Sequence, residues 1–412
     1  MTHDKLGRPL RIGFIGSGFI ARFHARSFLS VRNAEIRGVY SPTAANRDAL
    51  ARDARALELG DCTAHATLES LLASDIDAIW LLSPNDTRIE TMRAIVAAVR
   101  EGRSRVRAIA CEKPLARSLA EARTMLGLAE SVGLLHGYLE NQVFASGVER
   151  GKEIVWRRAV PAAGRPYLAR AAEEHSGPHE AWFWQGRRQG GGVLSDMMCH
   201  SIEVARYLLA DPAESRDALR PVRVQGHIAN LKWTRPLHAA ALKARYGADV
   251  DFTRRPVEDF ARGTIELELP DGGTAVIEAT TSWAYVGAGL RLDLDLMGPE
   301  YSLKASTLDS GLKVFFSRAI SGTDGEDLVE KQNAEQGLMP IVEDEAGTYG
   351  YTGENRHMVE CFRRGVAPRE TFADGVAVVE LVMALYKSAE EKRMLNLPDA
   401  SLETYVPPAM RD

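Results

Sequence analysis

What the chain has little of narrows its class before any motif does. Among 412 residues there are four cysteines, Cys62, Cys111, Cys199 and Cys361, and none lies in Cys-x-x-Cys spacing. That argues against a disulfide framework or a zinc knuckle and fits a reducing compartment. Positive charge is not in excess: 51 Lys and Arg face 56 Asp and Glu, a net charge of −5. Nothing therefore suggests a sequence-independent grip on nucleic acid or on an anionic membrane. No apolar run approaches a membrane span, and the polar stretch Met1 to Pro9 lacks the apolar core of a secretory signal. Internal repeats and low-complexity segments are also missing. The expectation is a cytoplasmic protein with neither membrane nor nucleic acid as partner.

What is present is organised around Arg11-Ile12-Gly13-Phe14-Ile15-Gly16-Ser17-Gly18-Phe19-Ile20-Ala21. Ile12 to Ile15 reads as a buried strand, followed by Gly16-x-Gly18-x-x-Ala21 and a helix expected over Phe19 to Leu29. Gly16 permits a tight turn, and Gly18 lets a backbone approach a pyrophosphate. Ala21 allows close strand–helix packing, and Phe19 and Ile20 open the helix whose N-terminus attracts the phosphates. The strand before and helix after give this short pattern its meaning as a dinucleotide fingerprint.

The pattern beyond it alternates. Strands are expected at Glu35 to Tyr40, Ala64 to Ala66, Asp77 to Leu82, Val106 to Cys111 and Leu134 to Leu139. Helices are expected at Ala44 to Leu59, Leu68 to Leu72, Thr87 to Arg100 and Leu119 to Ser131. Such alternation implies a parallel sheet with right-handed crossovers and a ligand crevice at the strands' carboxyl ends. From Val148 the pattern changes to strands with period-two alternation: Tyr167 to Ala172, Val222 to Ala229, Gly263 to Leu269, Ala275 to Thr281 and Leu290 to Met297. Asp271-Gly272-Gly273 forms a hairpin turn between two of them. Two polar insertions, Lys232 to Asp259 and Ser317 to Thr348, are expected as surface loops, with a lid or an oligomer contact as the sharper possibility. Helices Glu354 to Arg364 and Asp374 to Glu391 close the chain. The fold class is α/β. Residues 1–140 form a Rossmann domain, 141–395 an α/β domain with an open, mainly antiparallel sheet, and 396–412 a tail.

Four stretches carry chemistry. At the end of the second strand, where an acid would bind the ribose of NAD, stands Ser41, with Thr43 and Arg47 beyond. A missing carboxylate admits a 2′-phosphate, and the same residues also suit a helix cap and a solvated cation, so NAD and NADP both stay open. Cys111-Glu112-Lys113-Pro114 ends the fifth strand, aiming Lys113 at the crevice, where an ammonium stabilises a developing alkoxide; a surface lysine before a turn proline weighs equally. Gly190-Gly191-Gly192 leads into a helix with Asp196 and His200 at i and i+4, and Glu203 and Tyr207 continue that face. A buried polar stripe needs partners or a cavity. His200 as acid/base tuned by Asp196 is one reading, and a helix-terminal acid beside a satisfied core histidine is the other. No metal-specific spacing occurs among Asp196, His200, His175 and His179. The segment His175 to Trp184 sets His175 and His179 beside Trp182 and Trp184, which suits a sugar ring, although either tryptophan alone more often anchors a loop.

Taken together, these residues resemble the glucose–fructose oxidoreductase, inositol dehydrogenase and rhizopine-catabolism family, Gfo/Idh/MocA. The likeness rests on Gly13 to Ala21, Ser83-Pro84-Asn85, Glu112-Lys113-Pro114, the run into Asp196-x-x-x-His200 and the Asp374 to Ala389 helix. It implies an NAD(P)-dependent oxidoreductase acting on a secondary alcohol of a sugar, sugar derivative or cyclitol, assembled as a homodimer or homotetramer. It implies Lys113, Asp196 and His200 as the catalytic group, with Ser83, Asn85 and Glu112 in the cofactor groove. Glu140 and Asn141 join His175, His179, Trp182 and Trp184 as candidates for substrate contact. Some relatives cleave glycosides by transient oxidation and elimination, which is the enzymatic alternative. A sugar-sensing regulator without turnover is the third. Where the family commonly has a histidine after Pro-Asn, this chain has Arg88, which receives no role.

Overall fold

A computed structural model describes residues 7–309, 311–317 and 336–411. Six strands come first: β1 (Leu10–Ile15), β2 (Ala34–Tyr40), β3 (Thr63–His65), β4 (Ala78–Leu81), β5 (Ala108–Glu112) and β6 (Leu135–Leu139). They form one parallel sheet in the order β3-β2-β1-β4-β5-β6. The order reverses between β1 and β4, the switch point at which doubly wound sheets bind dinucleotides. β4 and β5 are buried at every position, as strands covered on both faces must be. The crossover helices are Phe19–Ser27, Ala44–Ala56, Leu68–Leu72, Arg88–Arg100 and Leu119–Glu130. The first is shorter than expected and ends in a tighter turn, Phe28–Ser30.

The following strands are β7 (Leu168–Glu174), β8 (Arg220–Ala229), β9 (Phe260–Glu268), β10 (Thr274–Ser282), β11 (Arg291–Gly298), β12 (Tyr301–Ser306), β13 (Leu312–Phe316), β14 (Gly337–Ile341) and β15 (Leu395–Asn396). A seven-stranded sheet has the order β12-β11-β7-β10-β9-β8-β15, antiparallel except where β10 runs parallel to β7. β13 and β14 pair separately. One sheet face is apolar. Ala261, Gly263, Ile265 and Leu267 on β9 are buried, and Leu385 sits against Gly226 and Gly263, where a side chain would collide with it. The alternate residues face the other way and are partly or fully exposed, Arg170, Arg262 and Glu278 being exposed.

The chain divides into two compact units, residues 1–144 with 350–379, and residues 145–349 with 380–412. The helix Tyr351–Arg364, expected with the second domain, thus packs in the first unit, where Met358 fills the space above Gly137 of β6. Between residues 232 and 259 the structure corrects the expected surface loop. This segment contains a helix, Pro236–Tyr246, and buries Val250, Phe252 and Val257. Its end is fixed by Asp259, whose carboxylate accepts the N–H groups of Leu231, Lys232 and Trp233 at 2.6, 2.8 and 2.8 Å. Of the insertion 317–348, β14 and a short helix, Glu345–Thr348, are ordered elements, and residues 318–335 lie outside the described residues. Among the described residues, no helix is long and apolar enough to cross a membrane.

Candidate active site

In the first unit a parallel sheet brings all its strand ends to one edge. Gly16 to Gly18 follow β1, Ser41 follows β2, Ser83 to Asn85 follow β4, Glu112 ends β5, and Glu140 and Asn141 follow β6. Gly16 holds φ at +120°, and a Cβ there would lie 2.5 Å from the Leu82 carbonyl oxygen. Gly18 is different: a Cβ on it would meet nothing within 4 Å, and no side chain caps the helix it begins. The result is an open cradle beside uncapped N–H groups at the positive end of a helix, with Phe19 and Ile20 as its first residues. The fully buried Ala21 brings that helix close. These features fit a pyrophosphate.

Around the cradle, Ser41 is buried and its carbonyl accepts Arg47 Nη1 at 3.1 Å. Arg47 is folded onto the end of β2, close to where a ribose would be read, and no acid replaces Ser41. Glu112 is fully buried and held from two sides. Its Oε1 meets His24 Nε2 at 2.9 Å and its Oε2 accepts the Lys113 N–H at 2.9 Å. Asn355 fixes the histidine tautomer. Its Oδ1 accepts Trp80 Nε1 (2.8 Å), so its amide nitrogen donates to His24 Nδ1 (2.9 Å) and Ser27 Oγ (2.7 Å), leaving Nε2–H for Glu112. Burial pushes the Glu112 carboxyl up, but the His24 bond and the charges of Lys113 and Arg88 outweigh it and hold its pKa below the ordinary value. Glu354 goes the other way. Burial, with the nearby charges of Glu112, Glu140 and Glu370, pushes it well above the carboxylate range. Sequence reasoning missed His24, Asn355 and Glu354, since their partners are distant in the chain.

In the second unit Asp196 and His200 stand on the helix Val193–Leu209, buried except at Tyr207. The structure explains the glycines before it. A Cβ on Gly191 would lie 2.0 Å from the Tyr386 hydroxyl, and one on Gly192 would lie 2.3 Å from the Glu258 carbonyl. Glu258 Oε1 accepts the N–H groups of Gly192 (2.9 Å) and Leu194 (3.1 Å). The Tyr386 hydroxyl donates to Glu258 Oε1 (2.5 Å) and accepts the N–H groups of Gly192 (3.0 Å) and Ser195 (3.1 Å). Two buried side chains remote in sequence therefore satisfy the first-turn donors. Burial raises the Glu258 pKa despite these bonds, and burial with the Glu258 charge raises that of Tyr386.

The polar stripe divides by role. Glu203 pairs with Arg206 at 2.5 Å and with Arg216, while Lys152 donates to the Tyr207 and Ala210 carbonyls and stands 4.0 Å from the Tyr207 ring centroid. These are structural contacts at the helix's far end. Asp196 Oδ2, nearer its start, accepts Trp283 Nε1 at 3.3 Å. Trp283 packs on Trp184 (5.2 Å), which also meets Trp233 (5.1 Å) and Phe252 (5.3 Å).

Trp184 is therefore a core anchor, 2% exposed, which corrects its reading as an open platform for a sugar. His175 is also buried, its Nδ1 accepting the Gly177 N–H at 2.9 Å. His179 is exposed, and the half-buried Trp182 lies over Phe183 with centroids 3.8 Å apart. Tyr246 of the insertion helix donates to the His179 carbonyl at 2.8 Å, so the insertion braces this loop.

Comparison with known proteins agrees with this organisation. Residues 10–138 match the Gfo/Idh/MocA oxidoreductase family, NAD-binding Rossmann fold, and residues 161–302 match the Gfo/Idh/MocA C-terminal domain. The chain is 26% identical to D-glucoside 3-dehydrogenase of Escherichia coli (strain K12), over 96% of this chain and 100% of that protein. It is 30% identical to 1,5-anhydro-D-fructose reductase of Ensifer adhaerens over 50% of this chain, a match spanning 58% of that relative. Among solved structures, GenD2 from gentamicin A biosynthesis in complex with NAD superimposes with a TM-score of 0.75 at 25% identity, covering 95% of this chain and 97% of that one. The chain belongs to the Gfo/Idh/MocA family and is an NAD(P)-dependent oxidoreductase.

Proposed function

We propose that the protein transfers a hydride between a nicotinamide cofactor and a secondary alcohol of a sugar, sugar derivative or cyclitol. The observation that carries the reading is the open Gly18 cradle at an uncapped helix N-terminus, on the sheet edge where β5 ends at Glu112 and Lys113 follows. Relatives named for D-glucoside and levoglucosan oxidation support the substrate class. The bound nicotinamide supplies the hydride acceptor. The chain supplies the proton chemistry: His200 takes the hydroxyl proton, Asp196 orients it, and the Lys113 ammonium stabilises the oxygen as negative charge develops. Ser83, Asn85 and Glu112 line the cofactor groove, with Ser41 and Arg47 at its ribose end. Glu140, Asn141, His175, His179 and Trp182 serve the substrate, His175 from a buried position.

The exposed face of the seven-stranded sheet is charged, with Arg170 and Glu278 paired at 2.5 Å and Arg223 and Glu266 at 2.8 Å. We assign this face to assembly as a homodimer or homotetramer. The four cysteines are buried free thiols, which suits the cytoplasm. The test is turnover of the purified protein on sugars, polyols and aryl glycosides with each cofactor. His200→Ala should cost about a hundredfold or more in turnover with dinucleotide binding retained. An unchanged rate would remove the assignment, and aglycone release without net cofactor reduction would replace it by redox glycoside cleavage.

A further inference from the structure

Arg88 opens the helix Arg88–Arg100 and is 3% exposed. Its guanidinium forms no ion pair among the described residues. It donates instead to backbone carbonyls on two loops: Nε to Ser83 at 3.1 Å, Nη1 to Glu112 at 2.5 Å and to Pro114, and Nη2 to Lys113 at 3.4 Å. An arginine stays charged under all conditions that keep a protein folded, and the nearby Glu112 carboxylate, which feels its charge, accepts none of its hydrogen bonds. A neutral side chain would be a cheaper way merely to fill the space. What the guanidinium adds is a planar fork with donors in several directions, able to hold carbonyls that no shorter side chain reaches together.

Those carbonyls have a common position. Ser83 follows β4 and Glu112 ends β5, neighbouring parallel strands, so Arg88 ties the two strand ends together. The other backbone group of Lys113 is engaged as well, its N–H being held by Glu112 Oε2 at 2.9 Å. Both polar backbone atoms of Lys113 are thereby fixed, one by Arg88 and one by the carboxylate that His24 and Asn355 support. On this sheet the adenosine half of a dinucleotide belongs beside β1 and β2, so the other half crosses the switch point to the β4 and β5 side.

We propose that Arg88 is a positioning residue that sets the Ser83 and Glu112-Lys113-Pro114 backbones for the nicotinamide half of the cofactor. The proposal rests on the oxidoreductase reading above. It separates two kinds of affinity. Loss of Arg88 loosens the loops on the β4 and β5 side and leaves the Gly16 to Gly18 cradle and the β2 end in place.

The experiment compares wild type with Arg88→Met and Arg88→Lys by calorimetric titration. The ligands are the reduced dinucleotide that wild type prefers and ADP-ribose, carrying a 2′-phosphate if NADPH is preferred. Arg88→Met should weaken the full dinucleotide about tenfold or more and leave the nicotinamide-free ligand within about twofold. Arg88→Lys, which keeps the charge without the fork, should fall between and serves alone should the Met variant not fold. Equal weakening of both ligands would make Arg88 a general scaffold and overturn the proposal, as would no weakening of either. Wild type that binds neither ligand would instead refute the oxidoreductase reading itself.

Discussion

Replacing Tyr386 by Phe removes one hydroxyl and keeps the ring, so it isolates the cap on the helix that carries Asp196 and His200. Three bonds go: to Glu258 Oε1 (2.5 Å), from Gly192 N–H (3.0 Å) and from Ser195 N–H (3.1 Å). Gly192 retains Glu258 Oε1 as a second acceptor at 2.9 Å, so the damage falls on the buried Ser195 N–H. An orphaned buried donor costs about 1–3 kcal/mol, and the lost hydroxyl–carboxylate bond adds about 1 kcal/mol, for about 2–4 kcal/mol together. In a unit of this size that corresponds to a Tm lower by roughly 4–16 °C. The Asp196 N–H takes the Gly192 carbonyl at 3.1 Å, so a loosened first turn reaches Asp196 before His200. Turnover should fall with the stability of the second unit, and dinucleotide affinity should stay near that of wild type. Scanning calorimetry with steady-state kinetics and a cofactor titration makes the comparison. A variant that melts like wild type would refute the claim that this hydroxyl holds the helix.

Three further outcomes follow from local geometry. Gly16→Ala places a Cβ at φ +120° against the Leu82 carbonyl, so dinucleotide binding should be lost by calorimetry and the Tm should drop, whereas retained affinity would contradict the turn's role. His357 accepts the Arg369 N–H at 2.8 Å, and burial, reinforced by the Arg369 charge, lowers its pKa from 6.5 to about 4. The unfolded chain therefore binds a proton the folded chain refuses between those values, and stability is present above 6.5 and lost as pH falls towards 4. The Tm advantage of wild type over His357→Asn should shrink across that window, and a constant difference would exclude this origin. Tyr246→Phe removes the brace on the His179 carbonyl. It should raise KM for the sugar with little change in dinucleotide affinity, and an unchanged KM would detach this loop from substrate binding.

What could be read from sequence was what the chain specifies locally. The turn at Gly16 shows because its φ of +120° favours glycine, and β4 and β5 show because strands buried on both faces are continuous apolar runs. The reading failed where one element's state depends on another far away. Residues 232–259 are polar overall, and the buried Phe252 is isolated in sequence, its partner Trp184 lying near a different helix. Glu258 and Tyr386 cap a helix 66 and 194 residues distant from them at Gly192, so nothing near Asp196 announces them. The two-residue β15 takes its conformation from pairing with β8, and carries no pattern of its own. Arg88 stood out only as a departure from an expected histidine, because carbonyl acceptors leave no trace in a sequence.

The most direct measurement is nicotinamide absorbance during incubation of the purified chain with NAD or NADP and a panel of sugars and polyols. The account predicts reduced cofactor in the presence of at least one of them, and its loss in both Lys113→Met and His200→Ala. If no member of the panel gives reduced cofactor, or if the two variants reduce it as fast as wild type, the account is contradicted.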